Sequence, residues 1–198
     1  MKNYLQIFSL IFLNYSVVAQ FSMDDVLSYP FPASLTSASN SNKIAWTINE
    51  KGKRNIFVAE GPNFQSRKLT NYDKDDGQEI SSLSVSSDGN WIVYLRGGEH
   101  GSNWEDEKTM NPLSMPMPPK VQMWSVPFKG GEPLLLGEGA GPVISPNSDE
   151  VVFTKNGQLW KVPIDTSTRA EQVLSLNGTN TSPVWSPDGS KIAFVSYR

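Results

Sequence analysis

Four segments of this chain repeat one plan: a short apolar stretch, a polar turn, then an apolar strand ending on an aromatic residue. The clearest copy is Trp185-Ser-Pro-Asp-Gly-Ser-Lys-Ile-Ala-Phe194. Earlier copies are Ile144-Ser-Pro-Asn-Ser-Asp-Glu-Val-Val-Phe153, Val85-Ser-Ser-Asp-Gly-Asn-Trp-Ile-Val-Tyr94 and the degenerate Ser37-Ala-Ser-Asn-Ser-Asn-Lys-Ile-Ala-Trp46. In the clearest turn Pro187 pre-sets φ, Asp188 can bond its own backbone and Gly189 takes a positive φ, so the flanking strands pair as a hairpin. A second strand with period-two alternation follows at Asn55–Ala59, Gln122–Pro127 and Gln158–Pro163, and a weaker third at Arg67–Leu69, Pro133–Leu136 and Gln172–Leu174. The markers Trp46, Tyr94, Phe153 and Phe194 lie 48, 59 and 41 residues apart. A unit of about 40 to 50 residues with about four short strands is a β-propeller blade.

The predicted fold class is therefore all-β: an incomplete propeller of four-stranded antiparallel blades, about three plus the start of a fourth. The blades are expected over 34–80, 81–140, 141–180 and 181–198, with a proline-rich insertion at 97–120 explaining the long spacing. Residues 20–33 form a lead-in with one short helix between Ser22 and Tyr29, capped by Ser22 and stopped by Pro30. Propellers close with about four to eight blades, and Tyr197-Arg198 fall inside a strand, so a longer parent chain is expected.

Residues 1–19 read as a secretory signal: Lys2, an apolar run from Leu5 to Leu13, and Val17-Val18-Ala19 before the cut. The run is too short and too interrupted by Gln6, Ser9, Asn14 and Ser16 to be a membrane anchor. Export to the periplasm or the extracellular space is expected, without a lipid anchor, because no Cys follows the cleavage point. The net charge of −3 supplies no basic surplus for a nucleic-acid backbone. With one His and no Cys, disulfides, Cys-based zinc sites and thiol nucleophiles are excluded, and no cofactor or metal is expected.

Three longer segments carry a family resemblance: Ser22-Met-Asp-Asp-Val-Leu-Ser-Tyr-Pro-Phe-Pro32, Tyr72-Asp-Lys-Asp-Asp-Gly-Gln-Glu-Ile80 and Tyr94-Leu-Arg-Gly-Gly-Glu-His-Gly-Ser-Asn103. They resemble the start of secreted bacterial serine peptidases of the prolyl oligopeptidase family, in its dipeptidyl peptidase IV and acylaminoacyl peptidase branches. The Ser-Pro-Asp-Gly hairpins alone are shared with TolB and other propellers. The resemblance implies a propeller that gates and orients short peptides for a C-terminal α/β-hydrolase domain of the same parent chain. That domain holds the nucleophile, its acid and its histidine. This sequence departs from the pattern there: it has no Gly-x-Ser-x-Gly elbow, so no catalytic residue is assigned and the chain is expected to be inactive alone. A non-enzymatic, TolB-like periplasmic propeller that binds a protein or ligand is the other reading.

Arg96, Glu99, His100, Asn103 and Trp104 are the candidate contacts to substrate or to the hydrolase domain. An exposed loop of turn formers accounts for the same residues. Trp104 to Lys120, with Met115-Pro-Met-Pro-Pro119, is either an arm against the catalytic domain or a tolerated insertion. Asp73, Asp75, Asp76 and Glu79 crowd together, but not in the spacing of a calcium loop, and read as a solvated loop between blades. The run Gly137-Glu-Gly-Ala-Gly141 is a blade connection, not a phosphate loop, because a strand follows it. Trp46, Trp91, Trp124, Trp160 and Trp185 are expected to pack within and between blades. The sequons at Asn177 and Asn180 fit an exposed turn.

Overall fold

The computed structural model describes residues 22–97 and 120–198. The proposed signal and most of the proline-rich insertion lie outside the described residues. Helix α1, Met23–Leu27, starts at a capping box in which Ser22 Oγ accepts from the Asp25 N–H (3.0 Å) and Asp25 Oδ2 accepts from the Ser22 N–H (3.1 Å). The remaining elements are strands. The first sheet is β1 (Phe31–Ser37), β2 (Lys43–Glu50), β3 (Lys53–Glu60) and β4 (Arg67–Lys68). The second is β5 (Ile80–Val85), β6 (Trp91–Arg96), β7 (Gln122–Pro127) and β8 (Leu134–Glu138). The third is β9 (Ala140–Ile144), β10 (Glu150–Lys155), β11 (Gln158–Pro163) and β12 (Glu171–Gln172), and β13 (Thr179–Trp185) pairs with β14 (Ile192–Tyr197). Every pairing is antiparallel between sequence neighbours, giving three four-stranded meanders and a hairpin. First and second strands pack across successive sheets, as in blades converging on an axis. The fold is an open, partial β-propeller.

Burial on both faces explains the unbroken apolar run of β6. Ile92 and Tyr94 point one way into a core with Ala45, Ile56 and Val58 of the first sheet. Val93 and Leu95 point the other way, into a core with Val151, Phe153 and Val162 of the third. A strand with one wet face would alternate; this one is covered twice. Full burial of each such side chain contributes about 1.5–3 kcal/mol, so these two seams hold the row together. Among the described residues nothing packs on the outer apolar face of the first or the last sheet, where Leu35 and, on the last, Val184 and Val195 are exposed.

The repeated turns form a second fastening at one end of the sheets. Ser86 Oγ accepts from the N–H groups of Asn90 (3.1 Å) and Trp91 (2.9 Å) and donates to Asp88 Oδ1 (2.6 Å). Ser145 and Ser186 are hubs of the same kind, whereas Ala38 occupies this place in the degenerate first copy. Each turn also touches the next: Asn40 N–H donates to Ser87 O (2.9 Å), and Asp88 N–H to Ser148 Oγ (3.2 Å). Gly89, at φ 72°, packs so closely here that a Cβ would collide with Ser41 Oγ. Beside these turns, the buried Phe128 ring lies 4.8 Å from Lys43 Nζ and 5.3 Å from the Arg67 guanidinium, while Arg67 donates to the Phe128 carbonyl.

One repeated feature went unread in the sequence. All four first strands carry a one-residue bulge, between Ala33 and Thr36, Ser81 and Ser84, Ala140 and Val143, and Thr181 and Val184. Each has a left-handed residue at its second position: Ser34, Ser82, Gly141 and Ser182. These residues stand four places before Ala38, Ser86, Ser145 and Ser186, so a Ser or Gly at that offset is the sequence signal.

Candidate functional site

The end of the sheets opposite the repeated turns carries a polar cluster that does not repeat. It is built where the segment between β4 and β5 crosses from the first sheet to the second. Asn55, buried on β3, fixes the start of that segment: its Oδ1 accepts from the Tyr72 N–H (2.7 Å) and Thr70 Oγ1 (3.1 Å), and its Nδ2 donates to Tyr72 O (2.9 Å). Tyr72 Oη then meets Tyr94 Oη at 2.7 Å. Burial pushes both phenols up, so they stay neutral and share one hydrogen bond.

Two arginines gather the acids that follow. Arg96, at the end of β6, donates from Nη2 to Asp76 Oδ2 (2.6 Å) and lies 3.9 Å from the centre of the Tyr72 ring. Arg54, only 11% exposed, pairs with Glu79 (2.9 Å), approaches Asp75 (3.8 Å) and donates to Gly52 O (2.8 Å). Gly52 permits this approach, since a Cβ there would collide with the Asp75 carboxyl group. The acidic segment is thus not simply solvated: Asp76 and Glu79 are drawn in by arginines, and Asp73 stays exposed. Among the described residues no three His, Asp or Glu side chains converge as metal ligands.

A cavity of about 320 Å³ opens between the first two sheets beside this cluster. Ser34, Thr47, Arg54, Glu79, Ile80 and Ser81 line it, with Phe31 and Ile48 among the apolar contributors. Thr47 Oγ1 is committed to Ala33 O (3.1 Å). Arg54 Nε and Ser81 Oγ are buried and have no hydrogen-bond partner among the described residues. The bulges at Ser34 and Ser82 bracket the cavity, and a bulge re-aims side chains and takes one residue out of the ladder.

Of the residues singled out from sequence, Arg96 belongs to this cluster, stacked and ion-paired, at the root of the insertion. Glu99, His100, Asn103 and Trp104 lie outside the described residues. Asn55, Arg54, Tyr72 and Ser81 were not anticipated as site residues. The sequon reading needs correcting at Asn180, which is fully buried, with its N–H on Gly157 O (2.8 Å); Asn177 is exposed. The five tryptophans are half-buried: Trp91, Trp124 and Trp160 pack against the cores, Trp185 Nε1 donates across sheets to Val143 O (3.1 Å), and Trp46 stacks on Phe57 at 6.2 Å on the outer face of the first sheet.

No family model matches the sequence, and no curated protein matches it. Solved structures do. A structure from a study of two prolyl endopeptidases aligns with TM-score 0.57 and 12% identity over 85% of this chain and 26% of its own. TolB from Acinetobacter baumannii aligns with TM-score 0.53 and 17% identity over 85% of this chain and 38% of its own. The propeller domain of the Trilobed protease from Pyrococcus furiosus, described as having an open velcro topology, aligns with TM-score 0.53 and 12% identity over 84% and 48%. The chain therefore spans between about a quarter and about a half of these neighbours' lengths, and what it shares with them is the β-propeller fold.

Proposed function

We propose that this chain is the gating and substrate-orienting propeller of an exported serine peptidase of the prolyl oligopeptidase type. The three sequence segments quoted above carry the reading, and the propeller fold shared with a prolyl endopeptidase structure over 85% of the chain is in keeping with it. In this reading an α/β-hydrolase domain of the same parent chain cleaves short peptides by acyl transfer from its serine, and the residues of this chain take no part in the covalent steps. Arg96, Glu99, His100, Asn103 and Trp104 are its candidate contacts to the substrate or to that domain. Arg96 acts by holding the crossing segment through Asp76 and Tyr72. The N-terminal leader directs the protein to the periplasm or beyond.

The likeness to TolB at 17% identity favours a second reading, a non-enzymatic propeller that binds a protein or ligand. Treating the native full-length protein with a fluorophosphonate separates the two. A covalently labelled serine within Gly-x-Ser-x-Gly, in a domain of about 250 residues after the propeller, is the expected result. A reading frame that ends after further blades, with no labelled serine, supports the binding protein instead.

A further inference from the structure

We infer that the cavity between the first two sheets is a subsite for the main chain of an extended, uncharged peptide segment. This rests on the peptide-handling reading above and says where part of the peptide is held. At about 320 Å³ the cavity lies at the small end of ligand sites, which run from about 300 to 1,000 Å³. It has room for a short stretch of chain and not for a folded partner.

The polar groups define what fits. Arg54 Nε–H and Ser81 Oγ–H are buried donors without an acceptor, and such groups are costly unless something supplies one. Both atoms are sealed beneath the cavity wall, and a ligand oxygen that came within reach of either as the side chains turn towards it would remove that cost. A carboxylate is the wrong oxygen, because the single positive charge of Arg54 is already met by Glu79 and Asp75. A main-chain carbonyl brings the acceptor without the charge. Glu79 adds a carboxylate that can take a main-chain N–H, and Ile80 gives the intervening side chain an apolar wall. The two bulged inner strands add main-chain groups outside the ladder, which suits a ligand that is itself backbone.

Calorimetric titration of the full-length protein with acetyl-Ala-Leu-Ala-amide tests this, alongside the same peptide bearing a free carboxylate. The capped peptide should bind, and the acid form should bind more weakly. Ser81→Ala and Arg54→Lys, which keeps the charge on Glu79 but removes Nε–H, should each weaken binding about tenfold while the melting temperature stays near that of the parent. Absence of binding at millimolar capped peptide, unchanged affinity in Ser81→Ala, or tighter binding of the acid form would overturn the inference. Serine labelling is read independently. A labelled serine without peptide binding sinks the subsite alone, and peptide binding without a labelled serine sinks the peptidase reading alone.

Discussion

The two ends of the sheets are made differently from the same strands. At one end three of the four blades turn on the same Ser-hub, with Ala38 in its place in the first, and neighbouring turns pack on one another, so most of the chemistry is repeated. At the other end Arg54, Arg96, Asp76, Glu79 and the Tyr72–Tyr94 pair occur once, and two buried polar atoms beside the cavity remain unpartnered. What repeats serves the scaffold, because each blade needs it. What occurs once is not needed by every blade, and there the proposed subsite lies.

If stability is stored in the repeat, substitutions should rank accordingly. Phe153, 1% exposed in the seam between the second and third sheets, should cost about 3–5 kcal/mol as Phe153→Ala, read by urea unfolding. Trp46→Ala, at the same repeat position but only half-buried, should cost clearly less. Next comes Ser86→Ala, which strands the Trp91 N–H group, while the Asn90 N–H keeps Asp88 Oδ1, and should cost about 1–3 kcal/mol. Arg96→Met should cost about 1–2 kcal/mol. Its pair with Asp76 is 19% and 28% exposed, between the ~0–1 kcal/mol of exposed ion pairs and the ~3–5 kcal/mol of broken buried ones. Were Arg96→Met to cost as much as Phe153→Ala, the division between the two ends would fail.

The smallest effect is the response to acid. Hydrogen bonds, first from Ser186 and then from Ser190, hold the Asp188 carboxyl at about 2 against an ordinary 3.8. Asp88 is also lowered: partial burial works against ionisation, but bonds from Ser86, Asn90 and Ser148 outweigh it. A depressed folded value means the contribution is complete above the unfolded value and lost as pH falls. Stability should therefore decline from pH 3.8 towards about 2, and Asp188→Asn should flatten the decline in melts across that window.

Much of the scaffold end could be read from the sequence because its signals are local. Pro187-Asp188-Gly189 specifies its turn within three residues, and the period-two strands announce their own pleat. The Ile92–Tyr94 run could be read as an apolar strand, but its coverage on both faces is a finding of the structure. The bulges escaped because Ser34, Ser82 and Ser182 are not residues that turn rules place at positive φ, and the offset becomes visible only when the copies are compared. The other end was half legible. Arg96 and the acids stood out by composition, but which arginine takes which acid depends on partners 20 or more residues apart, as with Arg54 and Glu79. Asn180 shows the reverse error: its motif suits a surface turn, yet its register on β13 buries it.

The central claim, that one end builds and the other binds, is tested most directly by mapping amide NMR shifts while the full-length protein is titrated with acetyl-Ala-Leu-Ala-amide. The expected result is a set of shifts confined to the cavity strands, around residues 31–34, 47–54 and 79–81. Shifts centred instead on the repeated turns at 86–91, 145–150 and 186–191 would contradict it.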